Sequence, residues 1–417
     1  MKLPLRILGM AVGGALLAAC SGAPATEQGA RKTVTVYWNN GHGYAAYQQV
    51  FDDFAKAHGV EVNLQKFAWP DLRTRLAADL AAGTVPDLVE EGWGGVKQFA
   101  VSGDVLSLQP FVDKDGAASG IPADWQPATV ERNSHEGKLY GVQLHLTANL
   151  PVYNTDLLAA AGVTTFPTTW DELVEAAKKL TKDGQYGVAL APATDYATNW
   201  LLQNGVKYYD PQTKQVLAPA DKAIEALQFL ADLVHKHKVA PVPTATTDYT
   251  EPQKLFTAGR AAIIFTGPWD IKPIREAAPA LKFAIAPALK HATQATYAAG
   301  ASIFIPAKAK NPDLAWDLIK RLTALETERA ATKEAAMLMP RKSWVRTPEV
   351  AADPVIKGFS AGLGYASDFS VDLRATGKAP ELEEPFKKLY QSVLIQNVPA
   401  AEAYAEFQTA AKTVLGS

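Results

Sequence analysis

The segment TVTVYW, residues 33–38, begins the alternation of strand and helix that decides the fold. Its β-branched and aromatic residues favour a strand. The apolar residues that follow recur at i, i+3, i+4 and i+7, which predicts one buried face of a helix. These residues are Tyr47, Val50, Phe51 and Phe54. We therefore predict a strand and then an amphipathic helix at the start of the folded chain.

The same order repeats further along the chain. Apolar alternation predicts a strand at 61–67, leucine spacing predicts a helix at 71–82, and a short apolar run predicts a third strand at 87–89. This alternation indicates βαβ units and an α/β fold with a mainly parallel sheet. In such sheets the ligand crevice lies beyond the carboxyl ends of the strands. Residues 38–40 and 90–91 should therefore lie near a ligand.

Later segments predict a second set of strands and helices. A capping box at 169–172 opens one helix. Asn311 before Pro312 opens another, whose apolar face continues to Leu325. The other predicted elements are a helix around 224–234, strands at 261–265, 283–286 and 302–305, and helices after Glu381.

The N-terminus carries the features of a secretory signal. Lys2 and Arg6 form a positive region before an apolar run at 7–19, and small residues lead to Cys20. The run is shorter than the roughly 20 apolar residues that span a bilayer. We therefore expect export of the chain rather than a membrane span.

Residues 17–20, LAAC, resemble the lipobox of bacterial lipoproteins. This resemblance implies that residues 1–19 are removed and that Cys20 is acylated, so that the protein is anchored at the periplasmic or cell-surface side of a membrane. An ordinary cleaved signal with an incidental cysteine is the alternative. Residues 20–32 are mostly small or polar, which predicts a flexible tether.

Composition excludes several classes of function. The chain has 41 basic and 43 acidic residues, so it offers no net field that attracts nucleic acid. Cys20 is the only cysteine, and its use as an anchor leaves no disulfide, thiol nucleophile or cysteine metal site. We expect a soluble, monomeric body of more than one domain, with no cofactor and no metal.

Eight short stretches, in this order, resemble the extracellular solute-binding proteins of ABC importers, in the sugar-binding branch that includes maltose-binding protein. They are FDDF (51–54), FAWPD (67–71), LAAGTVPDL (80–88), GKLYGV (137–142), PVYNTDL (151–157), PTTWDEL (167–173), LFTAGRAA (255–262) and GPW (267–269).

The resemblance implies a two-lobe periplasmic-binding-protein fold of type II, with the ligand in the cleft between lobes. It places residues 32–143 and 300–342 in the N-lobe, and residues 144–299 and 343–417 in the C-lobe. Lobes of this kind close on a ligand about the crossovers. The implied partners are a carbohydrate, as a di- or oligosaccharide, and the permease subunits of an importer.

A sugar cleft needs aromatic platforms and planar polar side chains. Trp269 is the first candidate, because the GPW motif matches the position where the family stacks a tryptophan on sugar. Trp38, Asn40 and His42 follow the first strand, and Glu91 and Trp93 follow the third. Maltose-binding protein has an aromatic residue where Glu91 lies, so this chain departs from it there.

The remaining candidates lie at the crossovers and in the second lobe. His145 and Thr147 are on the first crossover and Gly300 is on the second, while Asn199 and Trp200 are placed at a helix start. Arg374 is placed in a loop at the cleft mouth, where a surface ion pair is the alternative. For the tryptophans the alternative is a core position, and for the histidines a hydrogen-bonded surface position.

Two other functions stay open. A binding protein for another polar solute, such as glycerol 3-phosphate, would need cationic side chains in the cleft, and only Arg374 is cationic among the candidates. A surface glycoside hydrolase would need two carboxylates across the scissile bond. Glu90 and Glu91 are adjacent on a strand and point to opposite faces, so they make a poor catalytic pair.

Overall fold

The computed structural model describes residues 31–92, 96–244 and 249–416. The predicted signal peptide, Cys20 and residues 20–30 of the predicted tether lie outside the described residues. None of the helices in the described part is long and apolar enough to cross a lipid bilayer.

Strands and helices alternate along the described chain. The strands are β1 (Thr33–Asn39), β2 (Glu61–Phe67), β3 (Leu88–Glu91), β4 (Ser134–His135), β5 (Lys138–Leu139), β6 (Gly141–Gln143), β7 (Thr147–Ala148), β8 (Leu150–Asn154), β9 (Tyr186–Ala189), β10 (Lys207–Asp210), β11 (Gln215–Ala218), β12 (Ala261–Thr266), β13 (Phe283–Ile285), β14 (Thr296–Ala299), β15 (Ser302–Phe304) and β16 (Ala366–Ser367). The helices are α1 (Ala45–His58), α2 (Trp69–Ala82), α3 (Lys97–Ser102), α4 (Gln109–Asp115), α5 (Pro127–Arg132), α6 (Thr155–Ala160), α7 (Trp170–Leu180), α8 (Asp195–Gln203), α9 (Ala220–His235), α10 (Glu251–Thr257), α11 (Ile271–Ala277), α12 (Pro312–Leu322), α13 (Leu325–Ala335), α14 (Pro348–Ala352), α15 (Pro354–Gly362), α16 (Val371–Arg374), α17 (Ala379–Leu394) and α18 (Ala400–Leu415).

A five-stranded sheet in the order β2-β1-β3-β15-β6 forms the first body of the fold. We call it the N-lobe, together with the helices that pack around it, α1–α5, α12 and α13. β1 pairs in parallel with β2 and with β3, so the carboxyl ends of these strands share one edge. Helix α1 buries Tyr47, Phe51 and Phe54, which is the face that its apolar spacing predicted.

A four-stranded sheet in the order β13-β8-β12-β9 forms the second body. We call it the C-lobe, together with helices α6–α11 and α15–α18. β12 is buried along its whole length and runs parallel to β9. Helix α7 begins at the predicted capping box: Thr169 accepts a hydrogen bond from the backbone of Glu172, whose carboxylate accepts one from the backbone of Thr169.

Two crossover segments join the lobes side by side, and a third connection runs from α13 through α14 to α15. The first runs from β6 through β7 to β8, and the second runs from β14 to β15. β7 and β14 pair antiparallel, with Thr147 opposite Ala299, and β16 pairs with the start of β14. The chain therefore passes between the lobes through a small three-stranded sheet.

Two sequence expectations around α12 need correction. The single helix expected to continue to Leu325 is wrong, because α12 ends at Leu322 and α13 begins at Leu325. Arg341 donates a hydrogen bond to the carbonyl of Thr323 at 2.8 Å, which occupies the acceptor that a longer helix would use. Asn311 precedes α12 as expected, but its side chain makes no capping bond to the helix.

The Asp87 carboxylate, just before β3, instead binds Asn311 and holds the start of α12 on the N-lobe sheet. Its buried carboxylate accepts hydrogen bonds from the backbone of Thr35 at 2.9 Å, from the backbone of Asn311 at 2.8 Å and from the Asn311 side chain at 3.2 Å. The Asn311 side chain also donates to the carbonyl of Thr33 at 3.1 Å. One carboxylate therefore joins β1 to the start of α12.

We predict that Asp87→Ala lowers the free energy of unfolding by about 3 kcal/mol, because it leaves buried backbone donors without acceptors. Urea unfolding followed by circular dichroism measures this change. Asp113→Ala is the matched control, since Asp113 is exposed on α4, and it should alter stability by less than about 0.5 kcal/mol. Equal stability of the two variants would contradict the role assigned to Asp87.

Candidate ligand-binding cleft

In each lobe, polar and aromatic residues follow the carboxyl ends of the parallel strands. These ends face the space between the lobes. On the N-lobe, His42 follows β1, Trp69 follows β2 and Glu91 ends β3. On the C-lobe, Trp269 follows β12 and Asp195 opens the helix after β9. This is the edge at which α/β sheets bind ligands.

A cavity of about 310 Å³ lies between the lobes. Its N-lobe wall comes mainly from α2 and the end of β3, and its C-lobe wall comes from the start of α8 and from α16 and α17. The lining residues on the N-lobe include Leu72, Arg73, Leu76, Glu91 and Phe99, and those on the C-lobe include Asp195, Tyr208, Tyr297, Phe369, Arg374, Glu383 and Phe386.

Ion pairs connect the lobes around this cavity. Each pair joins a side chain of the N-lobe to one of the C-lobe. The pairs are Arg73 with Glu383 at 3.3 Å, Lys272 with Glu334 at 3.0 Å, and Arg132 with Asp368 at 3.3 Å. Arg374 also pairs with Asp368. The described conformation is therefore one in which the lobes are in contact.

Asp195 has a different environment from the paired carboxylates. Burial raises its pKa to about 7; Arg73 and Arg374 lower it in part, while Glu383 and Asp368 raise it. Burial likewise raises the pKa of Glu383, although Arg73 opposes this. Asp195 therefore changes protonation near neutral pH.

His42, Glu90 and His145 form a buried cluster beneath the N-lobe side of the cleft. His42 Nδ1 lies 2.5 Å from Glu90 Oε1, and the backbone of Asn39 donates to Glu90 Oε2 at 2.8 Å. His145 Nε2 lies 3.3 Å from His42 Nδ1 and 3.6 Å from Glu90 Oε1. Burial alone would raise the pKa of Glu90, but the two histidines lower it to about 2.

These three side chains have the composition of a metal site, since their ligand atoms lie within 4.8 Å of one another. The hydrogen bonding favours another explanation. The backbone N–H of Ala301 points at His145 Nδ1 at 3.4 Å, so the proton of a neutral His145 belongs on Nε2. A protonated Nε2 cannot bind a metal, and metal-bound histidines usually donate their other N–H instead. We therefore interpret the cluster as a hydrogen-bonded network that joins β3 to both crossovers.

Trp269 follows the carboxyl end of β12 and is not among the residues that line the 310 Å³ cavity. Its ring packs so closely over Gly267 that a Cβ at that position would lie 2.0 Å from it. The side chain is half-buried, and its indole Nε1 is buried with no hydrogen-bond acceptor among the described residues. Lys272, on the next helix α11, pairs with Glu334, and its Nζ lies 5.8 Å from the ring centroid of Tyr44. This region therefore lies against the N-lobe.

Two predicted aromatic contacts lie in lobe cores instead. Trp38 is 1% exposed and packs against Tyr47 and Phe51 of α1, with both ring centroids at 5.3 Å. Trp200 is 1% exposed and packs between Trp170 and Phe265. Neither ring presents a face to the cleft, because each points into the layer between a sheet and its helices.

Asn199 and Trp200 are also inside α8 rather than at its start. The Asn199 side chain donates to Asn149 at 2.6 Å and accepts from the backbone of Tyr297 at 2.8 Å. It therefore ties α8 to the two crossovers. Gly300 allows the two crossovers to approach each other. Its φ is 140°, and a Cβ at this position would lie 2.1 Å from the carbonyl of His145, so there is no room for a side chain.

The other predicted residues are distributed around the cleft. Asn40 is exposed, His42 and His145 are in the buried network, and Thr147 is buried on β7. Glu91 and Arg374 line the cavity, but Arg374 ends the short helix α16 rather than lying in a loop. Trp93 lies outside the described residues.

Sequence reasoning missed several residues at the cleft. Trp69 and Asp195 could have been found, because each follows a strand whose carboxyl end faces this edge. Trp69 packs against His42, with ring centroids at 5.7 Å, and over Gly92. Arg73 and Glu383 carry no such signal, since they project from helices whose approach depends on the packing of the two lobes.

Comparison with known proteins identifies relatives. Residues 38–328 match the family described as bacterial extracellular solute-binding protein. The chain is 27% identical over 310 residues to the maltotriose-binding protein of Pyrococcus abyssi, a match that covers 71% of this chain and 64% of that protein.

Solved structures share the fold. A solute-binding protein of an ABC transporter from Thermotoga lettingae, bound to α-D-tagatose, has a TM-score of 0.82 at 23% identity and covers 92% of this chain and 100% of its own. A protein from Mycobacterium tuberculosis in complex with glycerophosphocholine has a TM-score of 0.79 at 19% identity, covering 91% and 98%. These similarities show a two-lobe fold with a cleft between the lobes, as the sequence predicted.

We predict that His145 makes stability fall with acidification. Burial and His42 lower the pKa of His145 to about 4, so between about pH 6.5 and pH 4 the unfolded chain takes up a proton that the folded chain refuses. From pH 7 to pH 5 this costs about 2 kcal/mol. Urea unfolding of His145→Gln should show a loss smaller by that amount, whereas His237→Gln, at a partly exposed position, should behave as the wild type. An unchanged pH dependence in His145→Gln would reject the assignment.

Proposed function

This chain belongs to the bacterial extracellular solute-binding protein family, and from that premise we propose that it captures a carbohydrate between its lobes and delivers it to the permease of an ABC importer. The proposed ligand is a di- or oligosaccharide. The maltotriose-binding relative supports this class of ligand.

Trp269 is the observation that carries the proposal. A half-buried indole at the carboxyl end of β12 offers a flat apolar face to the C–H side of a sugar ring. Its buried N–H lacks an acceptor among the described residues, and a sugar hydroxyl would supply one. Trp69 stands at the corresponding edge of the N-lobe, and we propose that aromatic groups from both lobes contact one ligand.

Hinge closure is the proposed route of capture. The lobes are joined by the paired strands β7 and β14, and small rotations in such paired segments can open a cleft. A ligand that contacts both lobes favours the closed state by its differential affinity for the two states. A permease can then distinguish loaded from empty protein by the separation of the lobes.

Binding of another polar solute, such as glycerol 3-phosphate, is the second candidate, since a protein of the same fold is in complex with the phosphodiester glycerophosphocholine. The charges of the cavity argue against it. Arg73 is paired with Glu383, and Arg374 is paired with Asp368, so neither guanidinium meets the cavity without a carboxylate beside it. An incoming phosphate would have to displace these carboxylates.

A glycoside hydrolase is the lesser alternative. Glu90 is fully buried and accepts hydrogen bonds from Asn39 and His42, so it cannot reach a glycosidic oxygen. The relative named above is a binding protein, in agreement with a role in binding rather than catalysis.

We predict that calorimetric titration of the purified protein with neutral oligosaccharides gives binding, and that Trp269→Ala weakens it more than tenfold, about 1.4 kcal/mol. Trp269→Phe is the matched variant, since it keeps an aromatic face but loses the N–H and part of the ring surface, and it should weaken binding less. Glycerol 3-phosphate should not bind. Unchanged affinity in Trp269→Ala, with an unchanged urea midpoint, would remove Trp269 from the site. Release of smaller sugars during the titration would support the hydrolase.

We also propose a lipid anchor at Cys20. The expected result is that cells fed a radiolabelled fatty acid label the wild-type protein, and that Cys20→Ser abolishes the label and moves the protein from the membrane fraction to the soluble exported fraction. Lipidation and membrane association in Cys20→Ser equal to those of the wild type would show that the N-terminus is held in another way.

A further inference from the structure

We infer that the cleft selects a carbohydrate that carries a protonated amino group, and that Asp195 is the specificity-determining residue that receives this group. The inference rests on the proposed carbohydrate-binding function and deepens it. It comes from the arrangement of charge and aromatic surface around the cavity between the lobes.

Asp195 occupies a favourable position for contact with a ligand. It is the first residue of α8, the helix that follows β9, and it lines the cavity. No hydrogen bond to its carboxylate comes from any residue that the structure describes. Asp195 is half-buried, and a carboxylate that has lost part of its hydration without gaining a donor is unfavourable, so a ligand that supplies a donor gains free energy on binding.

The charged groups near Asp195 leave an excess of carboxylate. Arg73 on α2 pairs with Glu383 on α17 at 3.3 Å. Arg374 on α16 pairs with Asp368, which also receives Arg132 of α5 at 3.3 Å. The two guanidinium groups that line the cavity each pair with a carboxylate. Among the described residues no ion pair involves Asp195. Glu91 adds a further carboxyl group to the lining.

The other walls suit a cation rather than an anion. Phe99, Tyr208, Tyr297, Phe369 and Phe386 line the same cavity, and Tyr208 and Phe369 stack with centroids 5.2 Å apart. Aromatic faces attract an ammonium group, most strongly where water is excluded. An anion in this cavity would be repelled both by the faces of the aromatic rings and by the carboxylates.

The protonation of Asp195 provides a signature. Burial raises its pKa to about 7, so near neutral pH the empty protein holds this carboxyl partly protonated. A ligand ammonium stabilises the ionised form and lowers its pKa. Binding of an amino sugar should therefore release a proton, whereas a neutral sugar places no charge beside Asp195.

The test compares two sugars of the same skeleton by calorimetry of the purified protein at pH 6.5. The chitosan disaccharide carries two free amines, and its N-acetylated counterpart, diacetylchitobiose, carries none. We expect the amine form to bind at least tenfold more tightly to the wild type. Repeating the titration in buffers of different ionisation enthalpy should show proton release with the amine form.

Asp195→Asn keeps the size of the side chain and removes its charge. It should abolish both the preference and the proton release, while Asp113→Asn, an exposed control on α4, should keep both. A tenfold preference that persists in Asp195→Asn would reject the role of Asp195. Equal binding of the two sugars to the wild type, or tighter binding of the acetylated one, would overturn the inference.

The proposed function can be judged separately. If neutral oligosaccharides bind and the chitosan disaccharide does not, the inference fails and the proposed function stands. If neither the disaccharide pair nor the neutral panel binds, the proposed function itself is contradicted.

Discussion

The close passage of the two crossovers is the constraint on which the rest of the structure depends. At Gly300 the second crossover approaches the carbonyl of His145 on the first so closely that any Cβ would overlap it. Gln143 fixes this contact by donating to the carbonyls of His145 at 2.9 Å and Ala301 at 3.1 Å. Because both lobes are built on strands that leave this point, its geometry sets how their carboxyl edges face each other.

The buried network of His42, Glu90 and His145 extends that constraint toward the cleft. Glu90 can remain ionised without access to water because the backbone of Asn39 and the side chain of His42 hold it. Deleting one member of such a network would leave the others with unsatisfied polar groups. Residues of these types form metal or catalytic sites in other proteins. In this protein they hold the strands and crossovers beneath the cleft in one arrangement.

The sequence predicted those features that depend on local pattern. The strand and helix order around residues 33–91 and the helix that opens at Thr169 follow from apolar spacing and capping, and both are present. Side-chain direction could not be predicted in the same way. Trp38 and Trp200 were expected at the cleft and lie in cores, since the choice between the two faces depends on which helices cover a strand. The contact of Arg73 with Glu383 joins positions 310 residues apart and has no local signal.

Two of the three ion pairs between the lobes are partly hydrated, and these two have a further consequence for the balance between open and closed protein. The Arg73 and Glu383 side chains are 26% and 45% exposed, and those of Lys272 and Glu334 are 34% and 23% exposed. Partly hydrated pairs of this kind contribute only about 0 to 1 kcal/mol each, because water solvates the separated charges almost as well. These two pairs therefore determine how the lobes are aligned when they close. The stability of the closed state is left to whatever occupies the cleft.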